Sequence, residues 1–363
     1  MIETFTVLGG VIAFWSAATS APTRPAVLWL FLSSLIIFYG LRWEMGTDWN
    51  SHYRYFNVVT AYGPFGIPGV EPGFGLYLRL MRRVTDNYSV FLLVTTALTF
   101  IGILYTVFKM TRSFLAVFYL TGTIPWYAGS QRQMLACVCF TLAVKASMET
   151  KLTRFIVLMV AATMFHTTAI LFVPMYWLYG LSPVTYVAIF IGLAIASVFS
   201  RFLIPVLDVL VASYGFEKSF ASRAGGIPEG SNPLLGFPRK FYTLAGLMIF
   251  SSAAESSRTM EESHRKRIRF TLMLASLSII FYYMGTYQIN YLSSRVDIYS
   301  GIIATALLLG FLDSTFRSRM NRILLFVFVV ILVGIFYSRL EFMDLFHPYS
   351  SVFYNYGLHR VLY

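Results

Sequence analysis

Residues 87–108 read NYSVFLLVTTALTFIGILYTVF, an apolar run that contains no Asp, Glu, Lys or Arg. A helix needs about 20 such residues to cross roughly 30 Å of hydrocarbon, whereas a transmembrane β-strand needs only about 10 residues of alternating polarity. The run is long and continuous, so it predicts a membrane-spanning α-helix. Because other stretches share this pattern, we expect an all-α membrane protein.

The composition extends this pattern to the whole chain. Of the 363 residues, 57% are hydrophobic and 12% are charged, and the mean hydropathy is +0.68. A single water-soluble core could not bury this much apolar surface, so much of it must face lipid. The plausible spans lie near 4–20, 26–42, 87–108, 113–128, 131–147, 153–179, 183–200, 202–213, 239–254, 270–287, 295–312 and 323–340. We therefore expect about 11 or 12 transmembrane segments in a single transmembrane domain over residues 1–363.

The region 153–213 allows three interpretations. It can hold full spans, half-length helices that meet near His166, or a hairpin. Pro174, Pro183 and Pro205 interrupt it, and proline removes a backbone hydrogen bond from a helix interior. The sequence leaves these three alternatives open.

Basic residues predict the orientation and account for the net charge of +12. Short basic loops are typical of the cytoplasmic side, so we expect residues 264–269 (HRKRIR) in the cytoplasm. The longer loops near 43–86, 213–238 and 286–295 are then outside. Because the basic residues lie between apolar spans, membrane lipids explain them, and we expect no nucleic-acid partner.

The sequence contains no motif that indicates a metal or a cofactor. Its two cysteines, Cys137 and Cys139, are two residues apart and would point to different sides of a helix. It has no His-Glu-x-x-His motif, no acidic cluster and no phosphate-binding glycine loop. We therefore expect neither a metal site nor a cofactor.

The first long loop is rich in residues that can bind or ionise. Arg42, Glu44, Asp48 and Tyr53 follow directly on an apolar span. Ionisable groups at the end of a span are functional candidates, although a structural ion-pair network is the alternative. Glu71, which precedes Pro72-Gly73, either caps a helix that begins at the proline or contacts a substrate.

Two further candidates belong to apolar spans. Gln131 and Arg132 open the fifth span, where a cation lies near the positive end of the helix dipole. This placement fits a bound anion over the helix start, and attraction to lipid phosphate is the alternative. His166 lies within an apolar run, so it is a candidate base, with a structural buried histidine as the alternative.

Two later spans also begin with a cation. Arg239 opens the span after the loop at 213–238, and Arg295 opens the span after the loop at 286–295. Together with Arg132, they give three spans with a cation at the expected outer end. Arginine binds phosphate in bidentate geometry, so this pattern indicates an anionic substrate such as a diphosphate at the membrane surface.

Taken together and in order, these motifs resemble the EpsG family of polysaccharide polymerases, relatives of the Wzy O-antigen polymerases. The resemblance covers about residues 30–300 and rests on Arg42, Gly46, Asp48 and Tyr53, on Glu71-Pro72-Gly73-Phe74, on Arg132-Gln133 with Leu135-Ala136, on Phe165-His166 with Ala169 and Pro174, and on Arg295 with Tyr299. It implies a GT-C-like glycosyltransferase fold in the bacterial plasma (inner) membrane, with its active site facing the periplasm or cell exterior. It also implies undecaprenyl-diphosphate-linked glycan donors and acceptors as partners, and a Wzz-type chain-length regulator.

The expected reaction extends a glycan by one repeat unit with inversion at the sugar carbon. Arg42, Arg132 and Arg295 would take the place of a metal by stabilising the diphosphate leaving group. His166 is the first choice as the base, with Asp48 or Glu71 as alternatives. Two other functions fit the same cations: a lipid-linked glycan flippase or transporter, and another membrane transferase such as an O-antigen ligase.

Overall fold

The computed structural model describes residues 2–19, 25–43, 48–63, 67–127, 129–193, 195, 236–256, 260–287, 295–316 and 318–337. These residues are mostly helical and contain no β-strand, so the all-α prediction is confirmed. The predicted span at 202–213, Glu44 and the side chain of Arg239 lie outside the described residues.

The described helices follow one another in this order: α1 (Ile2–Thr19), α2 (Pro25–Gly40), α3 (Trp49–Val58), α4 (Pro72–Val84), α5 (Tyr88–Thr111), α6 (Phe114–Thr123), α7 (Gln131–Met148), α8 (Leu152–Phe165), α9 (Met175–Leu178), α10 (Pro183–Leu193), α11 (Gly236–Glu255), α12 (Glu262–Tyr287), α13 (Arg295–Thr315) and α14 (Arg319–Tyr337). The chain divides into two compact units, the first comprising Met1–Tyr176 with Phe316–Tyr363 and the second Trp177–Thr315. The expectation of a single transmembrane domain stays a prediction.

Two of the described helices, α5 and α13, are both long enough and apolar enough to cross a membrane. Most of the apolar window of α13, 94%, is buried inside the protein. Shorter apolar helices cover Thr6–Thr19, Ala26–Gly40, Phe114–Thr123, Leu152–Phe165, Thr167–Leu178 and Pro183–Leu193. These helices coincide with predicted spans, whereas the total of 11 or 12 spans stays a prediction.

Short polar links separate the apolar helices of the first unit. Asn87 begins α5 because its side chain accepts a hydrogen bond from the backbone N–H of Ser89 at 2.8 Å. Arg112, with a positive φ of 58°, ends the same helix. Ser113 then begins α6 by accepting from the N–H of Leu115 at 3.1 Å. One sharp turn therefore connects α5 to α6.

The first long loop folds into two helices, α3 and α4, that share one hydrophobic core with α5. Trp49 and Phe56 of α3, Phe74 and Leu78 of α4, and Phe91 of α5 are all buried in this core. Gly73, Phe74, Gly75, Leu78 and Met81 form the buried face of α4. The loop is therefore a packed layer, which holds its polar residues in fixed positions.

The region around His166 corrects one predicted span. The expected span at 153–179 is not continuous, because α8 ends at Phe165 and a 3-10 helix follows over Thr167–Phe172. His166 itself has an extended backbone, with φ −156° and ψ 116°. In the described part of this region, two helical stretches meet at His166, as the half-length interpretation expects, and residues 196–213 lie outside the described residues.

Candidate functional site

The first turn of α7 connects to the polar residues of the first long loop. The hydroxyl of Ser130 donates a hydrogen bond to Oδ2 of Asp48 at 3.1 Å. Two residues on, the guanidinium of Arg132 donates to Oε2 of Glu71 at 2.7 Å. Asp48 is the residue before α3 and Glu71 is the residue before α4. The start of α7 thus brings the starts of two loop helices together.

The sequence did not predict that Arg132 and Glu71 pair with each other. Glu71 occupies the N-cap position of α4, before Pro72, but its side chain makes no capping hydrogen bond. Arg132 forms an ion pair with a carboxylate of the protein itself, a partner that neither the bound-anion nor the lipid-phosphate interpretation included. The side chains are only 21% and 13% exposed, so the surrounding protein protects the pair from water. A guanidinium has five N–H donors, and one of them makes the described bond to Glu71.

Arg42 and Gln131 line a small polar cavity of about 20 Å³, the space of a single water molecule. Its other walls come from Thr95, Thr96, Thr99, Phe100 and Met134. The guanidinium of Arg42 is buried and donates to the carbonyl oxygen of Tyr39 and to Oγ1 of Thr96. Among the described residues, Oε1 of Gln131 has no hydrogen-bond donor. Arg42 therefore supports the end of α2 as well as facing the cavity.

Four aromatic rings form a cluster beside these polar groups: Trp43, Trp49, Tyr53 and Tyr88. Tyr53 stacks on Trp49, with ring centroids 5.1 Å apart and an interplanar angle of 10°. Tyr88 meets both of these rings edge-on, at 5.1 and 5.3 Å, and its hydroxyl accepts from Gln131 at 3.5 Å. Tyr53 is 39% exposed, so this aromatic cluster offers one accessible ring that is held in place by buried ones.

His166 lies at the break between α8 and the following 3-10 helix. It is buried, and its Nδ1 forms a hydrogen bond with Oγ1 of Thr168 at 2.7 Å. The same part of the chain packs on α4, because a Cβ at Gly73 would lie 2.8 Å from the carbonyl oxygen of Met164. Only glycine permits this approach. It brings the segment that ends in His166 to the helix that starts after Glu71.

Two arginines of the first long loop have structural roles. Arg79 donates to the carbonyl oxygens of Tyr62 and Gly63, which lie at the end of the preceding 3-10 turn. Arg82 pairs with Asp86 at 2.8 Å and lies over the ring of Phe56, 5.0 Å from its centroid. Part of the positive charge of this loop therefore stabilises the fold.

Tyr77 of α4 contacts α5. Its hydroxyl forms a hydrogen bond with Oγ1 of Thr95 at 2.8 Å, and burial raises the pKa of this hydroxyl to about 12.

The remaining predicted residues belong to the second unit. Arg295 is the first residue of α13, and Asp297 and Tyr299, two and four residues further on, are buried. A π-helical stretch runs over Ile298–Ile303, a distortion that is frequent at functional sites. The expectation that Arg295 shares a cavity with Arg132 stays a prediction. In the part of the chain that the structure describes, no three His, Cys, Asp or Glu residues group as metal ligands.

Sequence reasoning did not select Ser130, Trp49 or Tyr88. Ser130 directly precedes Gln131-Arg132, so its position before a polar helix start was an available signal. Trp49 belongs to a loop with unusually many aromatic residues, and that density was the signal for an aromatic cluster. Tyr88 begins an apolar span, and nothing in its sequence context marks it out.

The fold and this site define an all-helical protein whose ionisable and aromatic residues gather at the start of α7. The family model of the EpsG family matches residues 26–351, and the chain belongs to this family. This confirms the resemblance inferred from the motifs. Membership makes the chain a membrane protein of polysaccharide biosynthesis. Comparisons with curated proteins and with solved structures give no match.

Proposed function

We propose that the chain is a Wzy-type polymerase that joins oligosaccharide repeat units carried on undecaprenyl diphosphate. The reaction takes place at the outer face of the bacterial plasma membrane, in a GT-C-like fold. The observation that carries this proposal is the start of α7. There, Arg132 in the first turn binds Glu71, and Ser130, the residue before the helix, binds Asp48.

In this proposal Arg132 binds the diphosphate of the lipid-linked donor. Its guanidinium lies at the N-terminal turn of α7, an 18-residue helix whose dipole also favours an anion there. Glu71 holds the guanidinium in place through one N–H, and the other donors of the fork can reach phosphate oxygens. Negative charge develops on the diphosphate as its bond to the sugar breaks. A preorganised cation therefore stabilises the transition state more than the ground state.

The aromatic cluster provides the surface for the glycan. The faces of aromatic rings carry partial negative charge, which attracts the weakly positive C–H groups of a sugar ring. Tyr53 is the exposed ring of the cluster, and its stacking on Trp49 fixes its orientation. Asp48 lies directly before α3, the helix that carries both rings, and is therefore close to them in the chain. A carboxylate accepts hydrogen bonds, so in this proposal Asp48 binds sugar hydroxyls.

The chemical step is a direct displacement at the anomeric carbon of the donor. The acceptor hydroxyl oxygen forms the new glycosidic bond, and the bond between that carbon and the diphosphate oxygen breaks. The electron pair leaves with undecaprenyl diphosphate, and the hydroxyl proton passes to a base of the protein. His166 is our first choice for this base, with Asp48 as the alternative, and Glu71 acts chiefly by positioning Arg132. A single displacement inverts the configuration at the anomeric carbon.

Purified protein in liposomes tests the proposal when it is mixed with one defined undecaprenyl-diphosphate-linked repeat unit. We expect a ladder of longer glycans from the wild type and from Arg83→Gln, which removes an exposed cation of α4. We expect Arg132→Gln to lose the ladder. If the repeat unit crosses the membrane but is never extended, the protein is a flippase and the proposal is wrong. If it is extended only onto a different acceptor glycan, the protein is a ligase.

A further inference from the structure

Helix α3 has two faces of different chemical character. Its buried face carries Trp49, His52 and Phe56, each of which is at most 3% exposed. Its exposed face carries two amides, an aromatic ring and an arginine: Asn50, Tyr53, Arg54 and Asn57. Residues three and four positions apart lie on the same side of a helix, so these four side chains form one continuous surface. The buried face anchors the helix, and the exposed groups therefore have a fixed spacing.

The charge of this exposed face is not balanced within the helix. Arg54 is exposed, and its side chain forms no ion pair or hydrogen bond with another residue that the structure describes. An acidic residue three or four positions away would stabilise a solvated helix at this point. The residues at those positions are Asn50, Ser51, Asn57 and Val58. None of them is acidic, so α3 provides no counterion for Arg54.

The neighbouring helix α4 carries an exposed arginine in different surroundings. Arg83 lies beside Leu80 and Val84, which are 49% and 79% exposed. Exposed apolar side chains next to a cation are typical of a helix at a lipid surface. The exposed residues of α3, in contrast, include no aliphatic side chain. The exposed face of α3 therefore suits a ligand that is soluble in water.

The residue types on the exposed face of α3 are those of a recognition surface. Tyrosine supplies a rigid contact surface, and asparagine supplies adaptable hydrogen bonds. The amides of Asn50 and Asn57 both donate and accept hydrogen bonds, as sugar hydroxyls do. These two residues are seven positions apart, about 10 Å along the helix, which is the length of a disaccharide rather than of one sugar ring. The face begins directly after Asp48, which binds Ser130 at the start of α7, so it continues the proposed glycan site.

We infer that the exposed face of α3 is a second glycan subsite, which binds an acidic sugar of the repeat unit through Arg54. The inference rests on the proposed function, because the ligand is the glycan that the protein extends. A guanidinium binds a carboxylate through two parallel hydrogen bonds, so Arg54 pairs with the sugar carboxylate. Asn50 and Asn57 bind neighbouring hydroxyls. The subsite contacts sugars away from the reacting bond, and it therefore contributes to affinity rather than to the chemical step.

Binding of lipid-free glycan fragments to the full-length protein in nanodiscs tests this inference. The fragments are cut from the polysaccharide of the bacterium that makes the protein. A portion of them is carboxyl-reduced, which converts each acidic sugar into its neutral counterpart, and isothermal titration gives the Kd of both kinds. Arg54→Gln removes the charge from α3, and Asn57→Ala removes one amide. Arg83→Gln is the matched control, because it removes an exposed cation from α4.

We expect the acidic fragments to bind the wild type about tenfold more tightly than the reduced fragments, the effect of one charge-assisted pair. Arg54→Gln should remove this difference, and Arg83→Gln should leave it unchanged. Asn57→Ala should weaken the binding of both kinds about threefold to tenfold. A polysaccharide without an acidic sugar, equal Kd values of the two kinds for the wild type, or equal effects of the two arginine variants would overturn the inference.

The binding assay and the ladder assay separate this inference from the proposed function. Fragment binding requires neither the lipid diphosphate nor the chemical step. A protein that binds acidic fragments through Arg54 but never extends the repeat unit contradicts the proposed function alone. In the ladder assay, Arg54→Gln should raise the KM for the repeat unit about tenfold and leave kcat unchanged. A normal ladder with an unchanged KM contradicts the subsite alone.

Discussion

Replacing Arg132 by glutamine should reduce stability and activity for two separate reasons. The variant leaves the Glu71 carboxylate, which is 13% exposed, without its partner at 2.7 Å. A hydrogen bond between charged groups contributes about 1.5–3 kcal/mol, and because the pair is not fully buried we expect a loss of about 2 kcal/mol. Activity should fall further, since removing one preorganised donor to a developing anion costs about 10²–10³-fold in rate.

The double variant Arg132→Gln with Glu71→Gln separates these two effects. It removes both charges, so no unpaired carboxylate remains, and two amides can hydrogen-bond to each other. We expect it to regain most of the lost stability in thermal unfolding in detergent, with a coupling energy of about 1–2 kcal/mol between the two positions.

Polymerisation of the lipid-linked repeat unit should stay about 10²-fold or more below the wild type in the same double variant. Glu71→Gln alone should lose similar stability but less activity than Arg132→Gln, because the guanidinium remains. If the double variant recovers its polymerisation rate together with its stability, Arg132 has only a structural role. The diphosphate assignment would then be wrong.

Three further changes have defined outcomes. Gly73→Ala should lower the free energy of unfolding by about 1–3 kcal/mol, because the new Cβ would lie 2.8 Å from the Met164 carbonyl oxygen. Gly63→Ala is the control: a Cβ there meets no atom within 4 Å, so the free energy of unfolding should change by less than about 0.5 kcal/mol. Tyr53→Ala should raise the KM for the repeat unit in the ladder assay, whereas Tyr53→Phe keeps the stacking ring and should keep the wild-type KM. If the two variants change the KM equally, the aromatic cluster does not bind the glycan. The pKa of Glu149 is lowered from its ordinary value of 4.5, chiefly by a hydrogen bond with Lys151. The contribution of Glu149 to stability is therefore complete above pH 4.5 and is lost as the pH falls through the lowered pKa. Glu149→Gln should flatten the dependence of the melting temperature on pH in that range, and an unchanged dependence would show that Glu149 does not pair with Lys151.

The sequence predicts the helices well because hydropathy is a local property. The apolar run at 87–108 corresponds to the helix Tyr88–Thr111, and Pro72 begins α4 as its fixed φ favours. The break at His166 was harder to place. Pro174 suggested an interruption, yet α8 ends nine residues earlier, at Phe165, and the next residue, His166, forms a hydrogen bond with Thr168. Such local side-chain bonds compete with helical ones.

The candidate site was predictable by residue type but not by pairing. Arg132 and Glu71 were both selected. The sequence offered a capping role or substrate contact for Glu71, and a bound anion or lipid phosphate for Arg132. Their contact joins residues 61 positions apart, and it depends on how α4 packs against α8, where Gly73 meets Met164. The sequence places no constraint on that approach except the glycine itself. Tertiary packing therefore decides which partner a charged residue takes.

A structure of the protein with a bound undecaprenyl-diphosphate-linked repeat unit would test the central claim most directly. We expect a phosphate oxygen about 3 Å from the Arg132 guanidinium, within hydrogen-bond distance. We also expect the sugar next to the diphosphate to lie on the Tyr53 side of the aromatic cluster. A lipid diphosphate bound away from the start of α7, with Arg132 still bonded only to Glu71, would contradict the assignment of this site.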